Sequence, residues 1–82
     1  MEFTVTDVNI FTAPTTLYGS SYLLGIASAT INEDVTFKFI EIISAGIVDG
    51  QDALIISFKK SDVPPSIRPQ VQKAVYEKYI RM

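Results

Sequence analysis

The chain contains no cysteine and no histidine among its 82 residues. Without cysteine there are no disulfides and no thiol nucleophile, and without histidine the usual zinc ligands and the commonest general base are missing. No pair of acidic residues stands at a spacing typical of a catalytic site. The sequence therefore argues against an enzyme, and it indicates no metal, no cofactor and no small-molecule substrate.

Positive charge is also scarce, because seven Lys and Arg residues face nine Asp and Glu residues, for a net charge of −2. Overall charge thus gives no general attraction to nucleic acid or acidic membranes, although a local basic patch can still exist. The chain lacks the basic start and apolar segment of a signal peptide, and no apolar run approaches the roughly 20 residues of a membrane span. We expect a soluble cytoplasmic protein.

Apolar residues, by contrast, make up 48% of the chain. A chain of this length forms one domain, here residues 1–82, and buries only about 60–65% of its unfolded surface. A small core combined with many apolar residues favours a partner that covers part of the apolar surface. Association between copies of the chain is one such arrangement.

The first predicted strand covers residues 3–11, where apolar and polar side chains alternate. The alternation changes phase near Asp7, which predicts a β-bulge at that point. Residues 12–21 contain proline, glycine and several hydroxyl residues, and they predict a surface loop.

Two further strands are predicted at residues 22–31 and 35–44, joined by a polar hairpin turn at residues 32–34. Side chains two residues apart in a strand lie on one face, so one face of the third strand should be apolar. The side chains on that face are Val35, Phe37 and Phe39.

Ala45 and Gly46 interrupt the third strand and predict a second bulge, after which residues 47–48 resume the apolar pattern. Asp49 and Gly50 form a strong turn signal between apolar runs. Residues 53–58 are almost continuously apolar, which predicts a fourth strand that is covered on both faces.

The C-terminal region predicts a helix that runs to about Arg81, with Ser66 as its N-cap and Pro69 in its first turn. One stripe of the helix is apolar and should pack on the sheet. The stripe consists of Ile67, Val71, Ala74, Val75 and Tyr79. The predicted architecture is therefore α+β: a four-stranded antiparallel sheet in the order ββββα, with the C-terminal helix on one face.

Four blocks of the sequence, taken together, resemble the stage V sporulation protein G (SpoVG) family of bacterial regulators. Residues 5–8 (VTDV) match the N-terminal block, and residues 26–32 (IASATIN) are similar to the family's Ile-Ala-Ser-Ile-Thr-Leu-Asp. Residues 47–56 (IVDGQDALII) are similar to Val-Ile-Asp-Gly-Asn-Asn-Gly-Leu-Phe-Val. Residues 68–79 are close to the helix pattern Arg-x-Lys-Ile-Gln-x-Ala-Val-x-x-Glu/Asn-Tyr. Their order and approximate spacing agree along most of the chain.

The resemblance implies a homodimer of small antiparallel sheets with C-terminal helices. It also implies binding of DNA, and in some members of RNA, in transcription regulation, septation and sporulation. The chain departs from the family where basic residues are usual, in the first strand and before residue 26, and Gln70 replaces a family lysine. These departures remove positive charge from places where the family uses it.

The best candidates for nucleic-acid binding are Lys59 and Lys60 after the last strand, and Arg68 and Lys73 on the helix. Arg68 matches the arginine of the family pattern, and a helix N-terminus favours phosphate. The alternative interpretation is ordinary charge at a solvated end of the sheet. Two hypotheses follow: a SpoVG-like dimer that binds DNA or RNA, or a SpoVG-like dimeric protein-interaction or scaffold module without nucleic-acid binding.

Other residue groups have simpler explanations than a site. Asp49 and Asp52 fit turn chemistry better than a cation site. Several aromatic side chains could stack on bases, but packing in the core or a dimer interface is the favoured interpretation. These aromatic residues are Phe37, Phe39, Phe58, Tyr76 and Tyr79.

Overall fold

The computed structural model describes residues 3–18 and 21–82, which form an antiparallel sheet and a C-terminal helix. Each strand pairs with the strand that follows it, so the sheet order is β1-β2-β3-β4. The elements are β1 (Val5–Tyr18), β2 (Ser21–Ile31), β3 (Val35–Val48), β4 (Gln51–Ser57), a 3₁₀ turn (Pro65–Ile67) and α1 (Arg68–Ile80). The predicted α+β class and ββββα order are confirmed.

Both short turns predicted from polar residues are present. After β2, Asn32 and Glu33 have φ angles of 52° and 56°, and the N–H of Thr4 donates to Asn32 Oδ1 over 3.0 Å. After β3, Asp49 and Gly50 have φ angles of 53° and 81°, as a two-residue type I′ hairpin requires. Asn, Asp and Gly adopt such left-handed angles more readily than other residues, which is why these positions could be identified.

The first hairpin differs from the sequence-based prediction. The predicted loop over residues 12–21 is wrong for the part that the structure describes, because β1 continues to Tyr18, which pairs with Ser21. Residues 19–20 lie outside the described residues. A register shift within residues 12–16 absorbs the irregular stretch. Pairing with β2 therefore overrides the loop propensity of this segment.

Two predicted bulges are confirmed. The register of β1 against β2 shifts between Val5 and Asp7. The register of β3 against β4 shifts between Ser44 and Ile47, where Gly46 has a φ angle of 127°. A side chain is strained at that angle, so glycine suits this position.

A further bulge in β3 was not anticipated by the sequence pattern. The register shifts between Ala27 and Ala29 of β2, which places Lys38 and Phe39 opposite a single residue. Phe39 has a φ angle of 61°, a left-handed angle that is uncommon for an aromatic residue. The bulge turns its side chain away from the face that holds Phe37, so the prediction that these two aromatic residues share a face is wrong.

The core lies between the sheet and α1, and it explains why the bulge in β3 exists. By shifting the phase of the strand, the bulge brings Ile40 and Ile42 onto the inner face, where both are fully buried. The buried apolar cluster consists of Ala27, Ala29, Ile31, Ile40, Ile42, Ile56, Val63, Ile67, Val71 and Val75. The small alanines of β2 leave room for the helix to approach the sheet.

The predicted stripe of α1 is confirmed. Val71 and Val75 are fully buried, and Ile67 immediately before α1 is buried with them. Tyr79 packs against the same cluster from the last turn. Burial of this stripe against the sheet stabilises a helix that is too short to be stable alone.

The predicted helix start is wrong in one detail. Ser66 lies within the 3₁₀ turn, and the N-cap of α1 is Ile67, which makes no side-chain capping hydrogen bond. The N–H of Ile67 donates to the carbonyl of Pro64 over 3.1 Å, which closes the 3₁₀ turn before the helix begins. The preceding proline pair thus shifts the start of α1 past the serine.

The prediction that the fourth strand is covered on both faces is also wrong. β4 is an edge strand, and Ile55 on its outer face is 48% exposed while Ile56 is buried. A continuous apolar run is the usual mark of a strand between two layers, but α1 covers only one face of this sheet. The other face, called the outer face below, carries no helix and no second sheet among the described residues, although Glu41 and Ile43 of β3 are buried on it.

Candidate nucleic-acid interface

The four cationic candidates come from the end of β4 and the first half of α1. Lys59 and Lys60 form the turn after β4, and Arg68 is the first residue of α1. Arg68 Nε donates to the carbonyl of Val63 over 3.0 Å, and the guanidinium carbon lies 5.7 Å from the centre of the Phe58 ring. Because Phe58 directly precedes Lys59, these contacts place Arg68 beside the lysine turn.

Arg68 is held in place by these contacts rather than free in solvent. A guanidinium over an aromatic face at this distance is a cation–π contact. The guanidinium has five N–H donors, and the bond to Val63 uses one of them. Arg68 therefore has a structural role at the start of α1 and still carries donors suited to a phosphate.

Lys60 forms an ion pair with Glu41, whose Oε2 lies 3.8 Å from Lys60 Nζ. Glu41 is only 3% exposed, and its Oε1 accepts no hydrogen bond from the described residues. Its carboxylate neutralises part of the positive charge that Lys60 offers to a ligand. Sequence reasoning could not identify this pair, because 19 positions separate the two residues in the chain.

Lys73 lies about 7.5 Å further along the helix axis than Arg68, since each residue of a helix rises about 1.5 Å. It is exposed and lines a groove between the helix and β4. The other residues of the groove are Leu54, Ile56, Pro69, Gln72 and Tyr76. The name basic corner is used below for Lys59, Lys60, Arg68 and Lys73.

Three of the four cations of the basic corner belong to the junction between β4 and α1. Lys59 and Lys60 directly follow Phe58, whose ring contacts Arg68, whereas Lys73 stands apart on the flank of α1 that faces β4. Asp62 is exposed and lines a second groove together with Lys60, so its negative charge repels an anion there. The corner thus has a modest positive character, which agrees with the acidic balance of the whole chain.

Two further cations occupy the opposite flank of α1. Lys78 and Arg81 are exposed and line a groove beside β1, together with Glu77 and Asp7. Because acidic groups interleave with them, this flank has no excess of positive charge among its lining residues. It provides a natural control for experiments on the basic corner.

The outer face carries a group of residues that sequence reasoning missed. Register pairs Phe11 with Ile26, and Ile26 with Glu41, whereas the neighbouring row through Ala27 and Ile40 belongs to the core. Paired residues lie on the same face of a sheet, so Phe11 and Ile26 face away from α1. The bulge at residues 38–39 of β3 adds the side chain of Phe39 to this face.

An open cleft on the outer face, called the aromatic cleft below, has a volume of about 310 Å³. Phe11 is 68% exposed and Phe39 is 60% exposed, which is unusual for two large aromatic side chains on one sheet face. The cleft is lined by Phe11, Ile26, Ala27, Ser28, Lys38 and Phe39.

One signal in the sequence points to this arrangement. If strict alternation from Phe37 continued along β3, Glu41 would enter the core while Ile40 and Ile42 would face solvent. A phase change between Phe37 and Ile40 avoids that outcome, and it places Phe39 outside. Of the other aromatic candidates, Phe37, Phe58 and Tyr79 pack against the core as expected, whereas Tyr76 is 44% exposed on α1.

A cation site at Asp49 and Asp52 finds no support. The Oγ of Ser44 donates to Asp52 Oδ1 over 2.8 Å, so this carboxylate is engaged in the bulge at the end of β3. Asp49 occupies the hairpin turn. Across residues 3–18 and 21–82, no group of three or more acidic, histidine or cysteine side chains is placed to hold a metal ion.

Searches against protein-family models, curated proteins and solved structures return no match for the chain. The fold itself is of the α+β class, with one helix on a four-stranded antiparallel meander. Within the described part of the chain, no helix has the length and apolar character needed to cross a membrane.

Proposed function

We propose that this protein is a SpoVG-like regulator of the bacterial cytoplasm that acts as a homodimer and binds DNA or RNA through the basic corner. The observation that carries the proposal is the contact of Arg68 with Phe58, which places this arginine beside the turn that holds Lys59 and Lys60, at the junction between β4 and α1. A turn rich in lysine beside an arginine offers charge and side-chain N–H donors to phosphate groups. The backbone N–H groups of Ile67 and Arg68 donate within the 3₁₀ turn, so the side chains supply the donors.

Dimerisation raises the affinity of this site for nucleic acid, because it links two contacts with the same molecule. One copy of the basic corner is a weak footprint, whereas two copies related by symmetry engage one nucleic acid with a high effective concentration for the second contact. Exposed apolar side chains near the strand ends support association of two copies. These are Leu17, Ile47 and Val48, which are 66%, 68% and 59% exposed.

A second candidate function is a dimeric protein-interaction or scaffold module that does not bind nucleic acid. Two of the four corner cations have partners within the chain, since Lys60 pairs with Glu41 and Arg68 contacts Val63 and Phe58. The net charge of −2 also opposes approach to a polyanion. Light scattering that shows a monomer at tens of micromolar would argue against both candidates.

The two candidates are separated by fluorescence anisotropy with labelled random duplex DNA and single-stranded RNA, between about 50 and 200 mM salt. The informative variant is Lys59→Ala/Lys73→Ala, because both side chains are exposed and their removal leaves the contacts of Arg68 intact. The matched control is Lys78→Ala/Arg81→Ala, which removes the same charge from the opposite flank of α1.

Wild-type protein is expected to bind with an affinity that falls steeply with salt. In the corner variant, the log–log salt slope is expected to shrink by about 0.9 for each phosphate that the variant no longer neutralises, whereas the control variant should keep the wild-type slope. Absence of binding at the lowest salt would favour the interaction module. An equal loss of affinity in both double variants would show that general charge, and not the corner, attracts the nucleic acid.

A further inference from the structure

The aromatic cleft lies on the face opposite α1 and is separate from most of the basic corner. We propose that this cleft binds unpaired bases of a single-stranded nucleic acid, which stack on Phe11 and Phe39 while Lys38 meets the phosphate backbone. This inference depends on the proposed nucleic-acid binding, and it specifies the class of strand and the residues that read it.

The two aromatic side chains are placed for this task by the sheet. Phe11 stands on β1 and Phe39 on β3, with β2 between them, so their strands are about 10 Å apart at a spacing of roughly 4.8 Å per strand. Ile26, Ala27 and Ser28 of β2 line the cleft between them. Exposed aromatic residues on the open face of a four-stranded sheet are a recurrent platform for unpaired bases.

The presence of an aromatic residue at position 39 is a second reason to assign a function, because core packing accounts for the bulge but not for the ring. A bulky residue at a φ of 61° is strained, and an aromatic side chain that is 60% exposed gains little from burial in return. Asparagine or glycine would satisfy this backbone angle more easily. Bulges that turn a side chain outward are common beside functional sites, and here the bulge presents a ring to solvent.

The charges around the cleft favour a negatively charged ligand. Lys38 is the charged residue of the cleft lining. It also lines a neighbouring groove together with Lys60 of the basic corner, where Asp62 opposes their positive charge. Glu41 on the same face is buried and paired with Lys60. The charge exposed in the cleft is therefore positive, which complements a phosphate backbone.

A second copy of the chain fits the cleft less well. A two-fold interface that brought the cleft onto itself would place Lys38 opposite its own copy, with no exposed carboxylate in the lining to offset the like charges. A duplex fits poorly as well, because its bases are stacked inside the helix. A single strand presents both the unpaired bases and the charge that the cleft can use.

The test measures anisotropy of labelled 12-nucleotide probes with the full chain: oligo-dT, an abasic strand of equal length, and a duplex. The variants are Phe39→Gly, which removes the ring and relieves the backbone strain, and Phe11→Leu, which keeps an apolar side chain without a stacking surface. Phe39→Tyr preserves stacking. The matched control is Tyr76→Leu, an exposed aromatic residue on α1.

Wild-type protein is expected to bind oligo-dT more tightly than the abasic strand. Phe39→Gly and Phe11→Leu should each weaken binding of oligo-dT by about tenfold and leave the abasic strand unaffected, since stacking acts on bases alone. Phe39→Tyr and Tyr76→Leu should bind like wild type. The urea midpoint of Phe39→Gly should equal or exceed that of wild type, which a purely structural role for the ring would not allow.

Three results would overturn the inference. One is equal affinity of wild type for oligo-dT and the abasic strand, and another is full retention of oligo-dT binding in both phenylalanine variants. The third is conversion of a dimer to a monomer by these variants without a selective loss for bases, which would make the cleft a contact between copies. If none of the probes binds at low salt, the proposed nucleic-acid function fails together with this inference.

Discussion

Replacement of Lys60 by alanine is expected to destabilise the fold, because it removes the cation beside a buried carboxylate. Glu41 is 3% exposed, and the two charged groups are 3.8 Å apart. At an effective dielectric constant of about 20, two unit charges at this separation attract by roughly 4 kcal/mol. The side chain of Lys60 is 60% exposed, so screening by solvent should leave a net contribution of about 1–2 kcal/mol.

The origin of this destabilisation is tested by a double-mutant cycle with Glu41→Leu. Leucine replaces the carboxylate with an apolar side chain of similar size. The variant therefore has no buried negative charge that needs Lys60 as a counterion. Replacing a buried ion with an apolar residue is often neutral or stabilising, so Glu41→Leu alone should change stability by less than about 1 kcal/mol or raise it. In that background, Lys60→Ala should cost less than about 0.5 kcal/mol.

The measurement is urea unfolding followed by circular dichroism for the wild type, both single variants and the double variant. The coupling free energy between the two sites should be about 0.5–2 kcal/mol. Equal costs of Lys60→Ala in both backgrounds, and hence zero coupling, would refute the assignment of Lys60 as the counterion of Glu41. The result also bears on the basic corner, because a variant of Lys60 that loses stability is a poor probe of nucleic-acid binding.

Two further substitutions test the packing of the sheet by the same unfolding assay. Gly25→Ala would place a Cβ atom 2.9 Å from the carbonyl oxygen of Phe11 on β1, and the resulting backbone shift should cost about 1–3 kcal/mol; unchanged stability would show that β1 and β2 separate easily here. Val71→Ala removes two methyl groups from a fully buried position on α1 and should cost about 1.5–3 kcal/mol. Its neighbour Gln72 is exposed, so Gln72→Ala should stay within about 0.5 kcal/mol, and equal costs for the two variants would contradict the assigned orientation of the helix.

Local chemistry in the sequence determined most of the fold. Polar and glycine residues marked the turns at residues 32–34 and 49–50, and a phase change marked the bulge near Asp7. Three- and four-residue spacing marked the buried stripe of α1. Each of these signals acts within a few residues, because turns, bulges and helix faces depend on backbone angles and side-chain period.

The candidate site was predictable only in part. The sequence identified the cations of the basic corner, and Arg68 does contact Phe58, the residue that precedes the lysine turn. It did not reveal that Glu41 neutralises Lys60, because that pairing depends on how β3 lies against the turn after β4. Which cations remain available to a ligand was thus decided by contacts between distant segments.

The outer face depended on tertiary structure in the same way. Whether the apolar run of β4 is covered on one face or two depends on how many layers pack on the sheet. The sequence of a single strand does not show how many layers there are. The bulge at Phe39 likewise arises because two isoleucines of β3 must enter the core beneath α1, which forces the neighbouring ring outward. The residues alone therefore determined the succession of strands and helix, while packing between layers decided which aromatic side chains the molecule presents to solvent.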